Sequence, residues 1–213
     1  MRKKASSYTN DLTTMWLNEL SRPVTDPDFR QVLRPETEME HLFLQEPEFI
    51  NGLGWGTPRY GHPEGEVYKH VREVLNNIDQ LALPDSLRQD LRLIAFVHDT
   101  FKHQESKGHP RDWSRHHGVL ARRFLERYLS NPLLLDITEL HDEAYYAWRM
   151  AFLQQKPYAS QLRLQQLLDR IGTDLQLFYL FFACDTYTGD KNPAPVKWFE
   201  QVVPNVQPVL FFQ

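Results

Sequence analysis

Four histidines and one aspartate fall at helical spacing among apolar neighbours. His70 shares a face with Val67, Val71 and Val74, and His98 follows Leu91 and Ile94 at steps of seven and four. His117 continues a stripe of Trp113, Leu120, Phe124 and Tyr128; His141 stands between Ile137 and Tyr145; Asp185 follows Phe178 and Phe181. A single inward histidine is ordinarily a core residue with satisfied ring nitrogens. An inward carboxylate is costlier, because burying it unpaired loses several kcal/mol, so Asp185 needs a cation, an arginine or a capping role. Five segments that each turn such a group inward point to one shared centre. A divalent cation there would offset the carboxylates and accept neutral imidazoles.

The pair His98-Asp99 is the sharpest part of the pattern. Side chains at successive helical positions diverge by about 100°, so one ion reaches both only at a helix end. Thr100 and the polar loop from Lys102 to Arg111 put an end there. Lys102, three residues after Asp99, is close enough to meet a ligand's negative charge. His103, Lys107, His109, Arg111 and Arg115 follow, and an anionic substrate would be drawn to them. Lys102 and Arg115 are the candidates to hold a phosphate, against the alternative of a solvated loop. Lys191 and Lys197 follow Asp185 closely, and Asp190 and Glu143 are candidate supporting or general-base groups.

The elements that must carry these groups read as helices. Helical periodicity predicts segments at 11–20, 38–44, 65–81, 85–100, 112–129, 137–153, 161–171 and 174–186, with prolines as the breaks between them. No alternating strand pattern, repeat or linker divides the chain. The last residues, Val209-Leu210-Phe211-Phe212, are apolar enough to dock on something, the body or a partner.

With 213 residues, 41% of them hydrophobic, the chain can build one well-buried core. The formal charge of −4 and the lack of a basic stripe disfavour a nucleic-acid partner. A lone cysteine, Cys184, excludes an internal disulfide and a thiolate zinc finger, and its apolar setting marks it as a packing residue. The basic start lacks a following apolar stretch, and the run Leu175–Cys184 is about half a membrane span, so a soluble cytoplasmic chain without membrane contact is expected.

The segment Ala95-Phe96-Val97-His98-Asp99-Thr100-Phe101-Lys102 resembles the signature of the HD superfamily of metal-dependent phosphohydrolases. His62-Pro63-Glu64-Gly65-Glu66-Val67-Tyr68-Lys69-His70 looks like the opening of the HD region in bacterial CCA-adding tRNA nucleotidyltransferases. Cys184-Asp185, Thr188-Gly189 and Pro195-Val196-Lys197-Trp198-Phe199 are similar to its close. The resemblance covers about residues 55–200 and lacks the nucleotide-adding head. It implies an all-α, HD-domain-like helical bundle around a central metal site, with an N-terminal extension (1–54) packed on it and a C-terminal tail (201–213).

The same resemblance implies that His70, His98, Asp99 and Asp185 are metal ligands. It places His117 and His141 as two further ligands of a dinuclear centre bridged by Asp99, with His116 as the alternative to His117. The cofactor would be one or two divalent ions, Mn, Mg, Fe, Co or Ni. Asp99 and Lys102 would be catalytic, and Lys102 and Arg115 would bind substrate. The expected activity is hydrolysis of a phosphoester in a nucleotide or other small phosphorylated metabolite. Phosphodiester cleavage at RNA ends and a non-catalytic module with a structural metal are the alternatives, and a homo-oligomer is left open.

Overall fold

The computed structural model describes residues 27–106 and 108–211; the helix expected over 11–20, Lys107 and Phe212 lie outside them. Among the described residues the regular structure is helical, with no β-strand and two isolated bridges in the loop before His70. The order is α1 (Phe29–Leu33), α2 (Glu38–Phe43), α3 (Pro47–Leu53), α4 (Val67–Asp79), α5 (Asp85–Val97), α6 (His117–Leu125), α7 (Pro132–Leu140), α8 (Glu143–Phe152), α9 (Pro157–Ile171), α10 (Leu175–Thr186) and α11 (Ala194–Val202). Two 3-10 turns, Lys102–Gln104 and Trp113–Arg115, lie between α5 and α6. No described helix is long and apolar enough to cross a membrane.

α10 is apolar on nearly every side, and the residues from Leu177 to Cys184 are all buried, as a helix at the centre of a bundle requires. It packs against α4, α5 and α11, while α6 with α7 and α8 with α9 form adjacent pairs around it. The described part of the N-terminal extension belongs to this core. Leu33, Phe43, Phe49 and Leu53 are fully buried, and the rings of Phe43 and Phe49 lie 5.2 and 5.6 Å from that of Phe124. Arg92 of α5, also fully buried, donates from Nε and Nη2 to Glu40 of α2 at 2.9 and 3.1 Å. Packing therefore runs unbroken across residue 54. At the other end the tail docks on the body: the Val209 amide donates to the Tyr179 hydroxyl at 3.0 Å, and the Phe211 ring lies 4.9 Å from Tyr187.

The main departures from the sequence reading concern helix starts. Pro47, Pro132 and Pro157 are first helical residues and Pro195 is second, where the missing N–H costs nothing and the fixed φ suits the helix. The helix expected over 137–153 is two helices, because the chain turns at His141-Asp142. That turn lets both side chains face one centre, which successive positions of a continuous helix cannot do. The helix expected over 112–129 is also broken. His116 takes an extended backbone, its Nδ1 accepts from the Gly118 amide at 3.1 Å, and α6 begins at His117. Trp113 is accordingly exposed and off the stripe.

Two glycines set how closely the helices approach the turns that carry the chemistry. A Cβ on Gly52 of α3 would stand 1.9 Å from the Thr100 carbonyl oxygen, just past His98-Asp99. A Cβ on Gly118 of α6 would stand 2.4 Å from the Glu139 carbonyl oxygen of α7. Gly52→Ala should therefore displace the Thr100 turn and destabilise the protein by about 1–3 kcal/mol, as over-packing does. Urea unfolding measures this, and a midpoint equal to wild type would contradict it.

Candidate metal centre

α4 supplies His70, the end of α5 supplies His98 and Asp99, the start of α6 His117, the end of α7 His141 and Asp142, and α10 Asp185. The two helix ends are built alike. His98 caps α5 and His141 caps α7, and the Nδ1 of each donates to the carbonyl three residues back, Ala95 and Thr138, at 2.9 Å in both cases. Each is followed by its aspartate.

These hydrogen bonds fix the tautomers, since a carbonyl oxygen can only accept. The other two rings are held in the same sense. His117 Nδ1 lies 3.1 Å from Glu105 Oε2, and Glu105 is paired in turn with Arg111. His70 Nδ1 lies 3.4 Å from the Thr188 hydroxyl, whose proton is already donated to the Asp185 carbonyl at 2.7 Å, so the hydroxyl accepts from the ring. All four Nδ1 atoms are committed as donors. The four Nε2 atoms converge, and in the neutral rings they are the nitrogens left to accept, the arrangement that orients metal-binding imidazoles.

The converging atoms form two sets. In the first, His70 Nε2 lies 2.9 Å from Asp185 Oδ1, 3.3 Å from His98 Nε2 and 3.5 Å from Asp99 Oδ2. His98 Nε2 is 3.5 Å from Asp99 Oδ2 and 3.8 Å from Asp185 Oδ1. In the second, His117 Nε2 and His141 Nε2 are 3.2 Å apart and lie 3.4 and 3.6 Å from Asp99 Oδ1. Asp142 Oδ2 completes this set at 3.4 Å from His117 and 3.9 Å from His141. Asp99 gives one oxygen to each. Donors bound at about 2.0–2.2 Å to a common ion stand about 3–3.6 Å from one another, close to these spacings. Each set offers two imidazole nitrogens and two carboxylate oxygens, which suits a borderline or hard divalent cation. The buried groups His70, His98 and Asp99, and likewise Asp99, His117 and His141, could hold a metal ion; Asp185 and Asp142, which adjoin them, are partly buried.

The local electrostatics prepare the ligands. Burial pushes His98 down to about 3 and lowers His70 as well, leaving neutral imidazoles. Burial alone would raise the Asp99 carboxyl, but Lys102 and the surrounding imidazoles hold it well below the usual range. Lys191 and His70 do the same for Asp185, as His141 and His116 do for Asp142. His141 behaves differently. Its burial is outweighed by Asp142 and Asp99, which raise it to about 9, so a positive charge is favoured at the spot where the second set converges.

Lys102 donates to Asp99 Oδ2 at 2.5 Å, and Lys191 to Asp185 Oδ1 at 2.8 Å. Both ammonium groups rest on oxygens of the first donor set and line a cavity of about 400 Å³, whose inner end is formed by Asp99, His141, Asp142 and Asp185. The other sequence candidates fall elsewhere. Arg115 is exposed on its 3-10 turn and does not line this cavity. His103 faces the Thr100 carbonyl, Glu143 pairs with Arg163, and Asp190 accepts from the Gly61 amide on the cavity rim. His116 caps α6 and leaves the donor set to His117. Cys184 is fully buried, as its apolar setting implied.

Asp142 and Glu105 were missed by the sequence reading. Asp142 had a signal: His141-Asp142 repeats the dipeptide His98-Asp99, again at the end of an apolar helix. Glu105 had none, because only the folded loop brings it to His117. Comparison with protein-family models, with curated proteins and with solved structures gave no match.

Proposed function

We propose that the chain is a metal-dependent phosphohydrolase of the HD type, with two divalent cations held on either side of Asp99. The observation that supports this best is the division of the Asp99 carboxylate, with Oδ2 3.5 Å from His70 and His98 and Oδ1 3.4 and 3.6 Å from His117 and His141. Mn, Mg, Fe, Co and Ni are the candidate ions. When bound, such a pair lowers the pKa of a water and offsets charge on the phosphoryl oxygens.

The chain's own groups supply the rest. His70, His98 and Asp185 on one side, and His117, His141 and Asp142 on the other, carry the two positions. The Ala95 and Thr138 carbonyls, Glu105 and Thr188 keep the rings aimed. Lys102 and Lys191 supply ammonium groups at the cavity floor, where they can turn from the carboxylates to phosphate oxygens. Four positive charges from two ions, opposed by three carboxylates and joined by two lysines, favour a dianionic phosphomonoester over a monoanionic diester. A purely structural ion would be closed off from solvent, whereas four of the proposed ligands line a cavity.

The test is metal analysis of the purified protein followed by a phosphate-release screen over small phosphoesters with Mn²⁺, Co²⁺ or Ni²⁺. Retained metal with phosphate release is expected; absence of both defeats the reading. Within that screen Lys102→Ala should keep fold and metal yet lower kcat/KM about 10- to 100-fold, the worth of one charge-assisted hydrogen bond. An unchanged kcat/KM would remove Lys102 from the substrate contacts.

A further inference from the structure

The cavity that opens on the donor sets is much larger than a phosphate needs, and its lining combines the polar donor groups with an apolar set. Tyr145, Trp148, Leu153, Phe182 and Pro195 contribute an apolar wall there. Tyr145 and Trp148, one turn apart on α8, have near-parallel rings, 6.2 Å between centroids at 19°. Beyond them Phe152 continues the row at 5.8 Å and 30° from Trp148. Of the lining residues, Tyr145 is 38% exposed and Leu153 63%, so apolar surface of the cavity stays uncovered. Such surface continuous with a polar centre is typical of a ligand site.

Away from the donor sets and the lysines, the polar side-chain groups of the lining are the Asn192 amide, whose oxygen already accepts from the Ala194 amide at 2.9 Å, the Thr186, Tyr60 and Tyr145 hydroxyls, the Trp148 indole N–H and the His62 ring, which pairs with Glu64. A flat ring would meet the aromatic side chains of Tyr145 and Trp148 in this lining, with the Arg149 guanidinium 5.6 Å from the Tyr145 ring centroid. Lys102 and Lys191 are the lysines at the floor, a match for one phosphate group rather than a chain of them. The rim is tied in place: the Gly61 amide donates to Asp190 at 2.7 Å and the Gly189 amide to Glu73 at 3.0 Å.

We propose that Tyr145 and Trp148 form a stacking platform for the alcohol half of the substrate, which is therefore a phosphomonoester carrying a nucleobase-sized aromatic ring. Placing the phosphate at the floor rests on the hydrolytic reading above; the platform itself is argued from the wall. Lys191 shares the phosphate with Lys102, and ring stacking on α8 sets the preference for nucleoside monophosphates over sugar phosphates.

The experiment compares AMP, GMP, CMP and UMP with ribose 5-phosphate, which has the same phosphate and sugar but no base. Binding to Mn²⁺-loaded protein is followed by calorimetry, and phosphate release is measured alongside. At least one nucleotide should bind about tenfold or more tighter than ribose 5-phosphate, and Trp148→Ala should remove about 5- to 100-fold of that affinity, the range for stacking on an aromatic side chain. Exposed Tyr145→Ala, which does not threaten the core, should remove part of it while ribose 5-phosphate binding stays unchanged. Equal binding of ribose 5-phosphate and all four nucleotides, no binding of any nucleotide, or a base preference that survives both substitutions overturns the proposal. Base-dependent binding without phosphate release defeats the hydrolytic reading and leaves the platform standing. Ribose 5-phosphate hydrolysed as readily as the nucleotides does the reverse.

Discussion

On the proposed dinuclear phosphohydrolase reading, Asp99→Asn should leave the protein without either cation and lower phosphate release by at least ~10³-fold. Asp99 is the residue common to the two donor sets, with Oδ2 3.5 Å from His70 and His98 and Oδ1 3.4 and 3.6 Å from His117 and His141. An amide keeps the size but offers one weaker oxygen and a nitrogen that cannot coordinate, so one set loses a ligand and the shared charge is gone from both. Bound cations supply several kcal/mol of transition-state stabilisation, and each ~1.4 kcal/mol is a factor of ten. The variant also leaves the Lys102 ammonium without its carboxylate partner, so the fold should lose a few kcal/mol as uncompensated buried charges do. Metal analysis, phosphate release and thermal unfolding read the three effects. Full metal content in Asp99→Asn would mean that the ions, if present, sit elsewhere.

Asp142→Asn should have a more selective effect: metal content falls from about two ions per chain to about one. Of the two donor sets Asp142 pairs with the second, at 3.4 Å from His117 and 3.9 Å from His141, and it is also held by the Tyr146 hydroxyl at 3.2 Å and His116 at 3.6 Å. His117→Ala should do the same, while His70→Ala should spare the second set. Losing a carboxylate ligand costs the second ion its charge balance, and activity should drop about 10²-fold or more if both ions act on the phosphoryl group. A protein that holds one ion in wild type and in all three variants would refute the dinuclear arrangement. Retention of two ions in Asp142→Asn would remove Asp142 from the ligands.

Much of this site could be read before the fold was seen, for a definite reason. His70, His98, His117, His141 and Asp185 sit on apolar stripes, and helical periodicity converts such stripes into a common interior. Asp142 lay adjacent to a recognised histidine but off its stripe, and the helix assumed through residue 142 would have turned it away. Nothing in the composition there signals a break: no glycine or proline interrupts 137–153, and the turn follows from what the two side chains face. The opposite error arose at the prolines. Pro47 and Pro132 were read only as breaks, yet each is also the first residue of a helix, with Asn131 capping α7 through its side chain. Glu105 and the aromatic wall of the cavity come together only through loops and helix pairs that periodicity does not specify. Arg115 shows the limit from the other direction: proximity in sequence to the His98 loop did not bring it to the cavity.

The central claim is that Asp99 stands between two cations, and anomalous scattering tests it directly. A crystal grown with Mn²⁺ and measured at a wavelength where manganese scatters anomalously should show two peaks about 3.5–4 Å apart. One should lie among His70, His98, Asp99 and Asp185, the other among Asp99, His117, His141 and Asp142. A map without a peak beside Asp99, or with a single peak after soaking in excess Mn²⁺, would contradict the account.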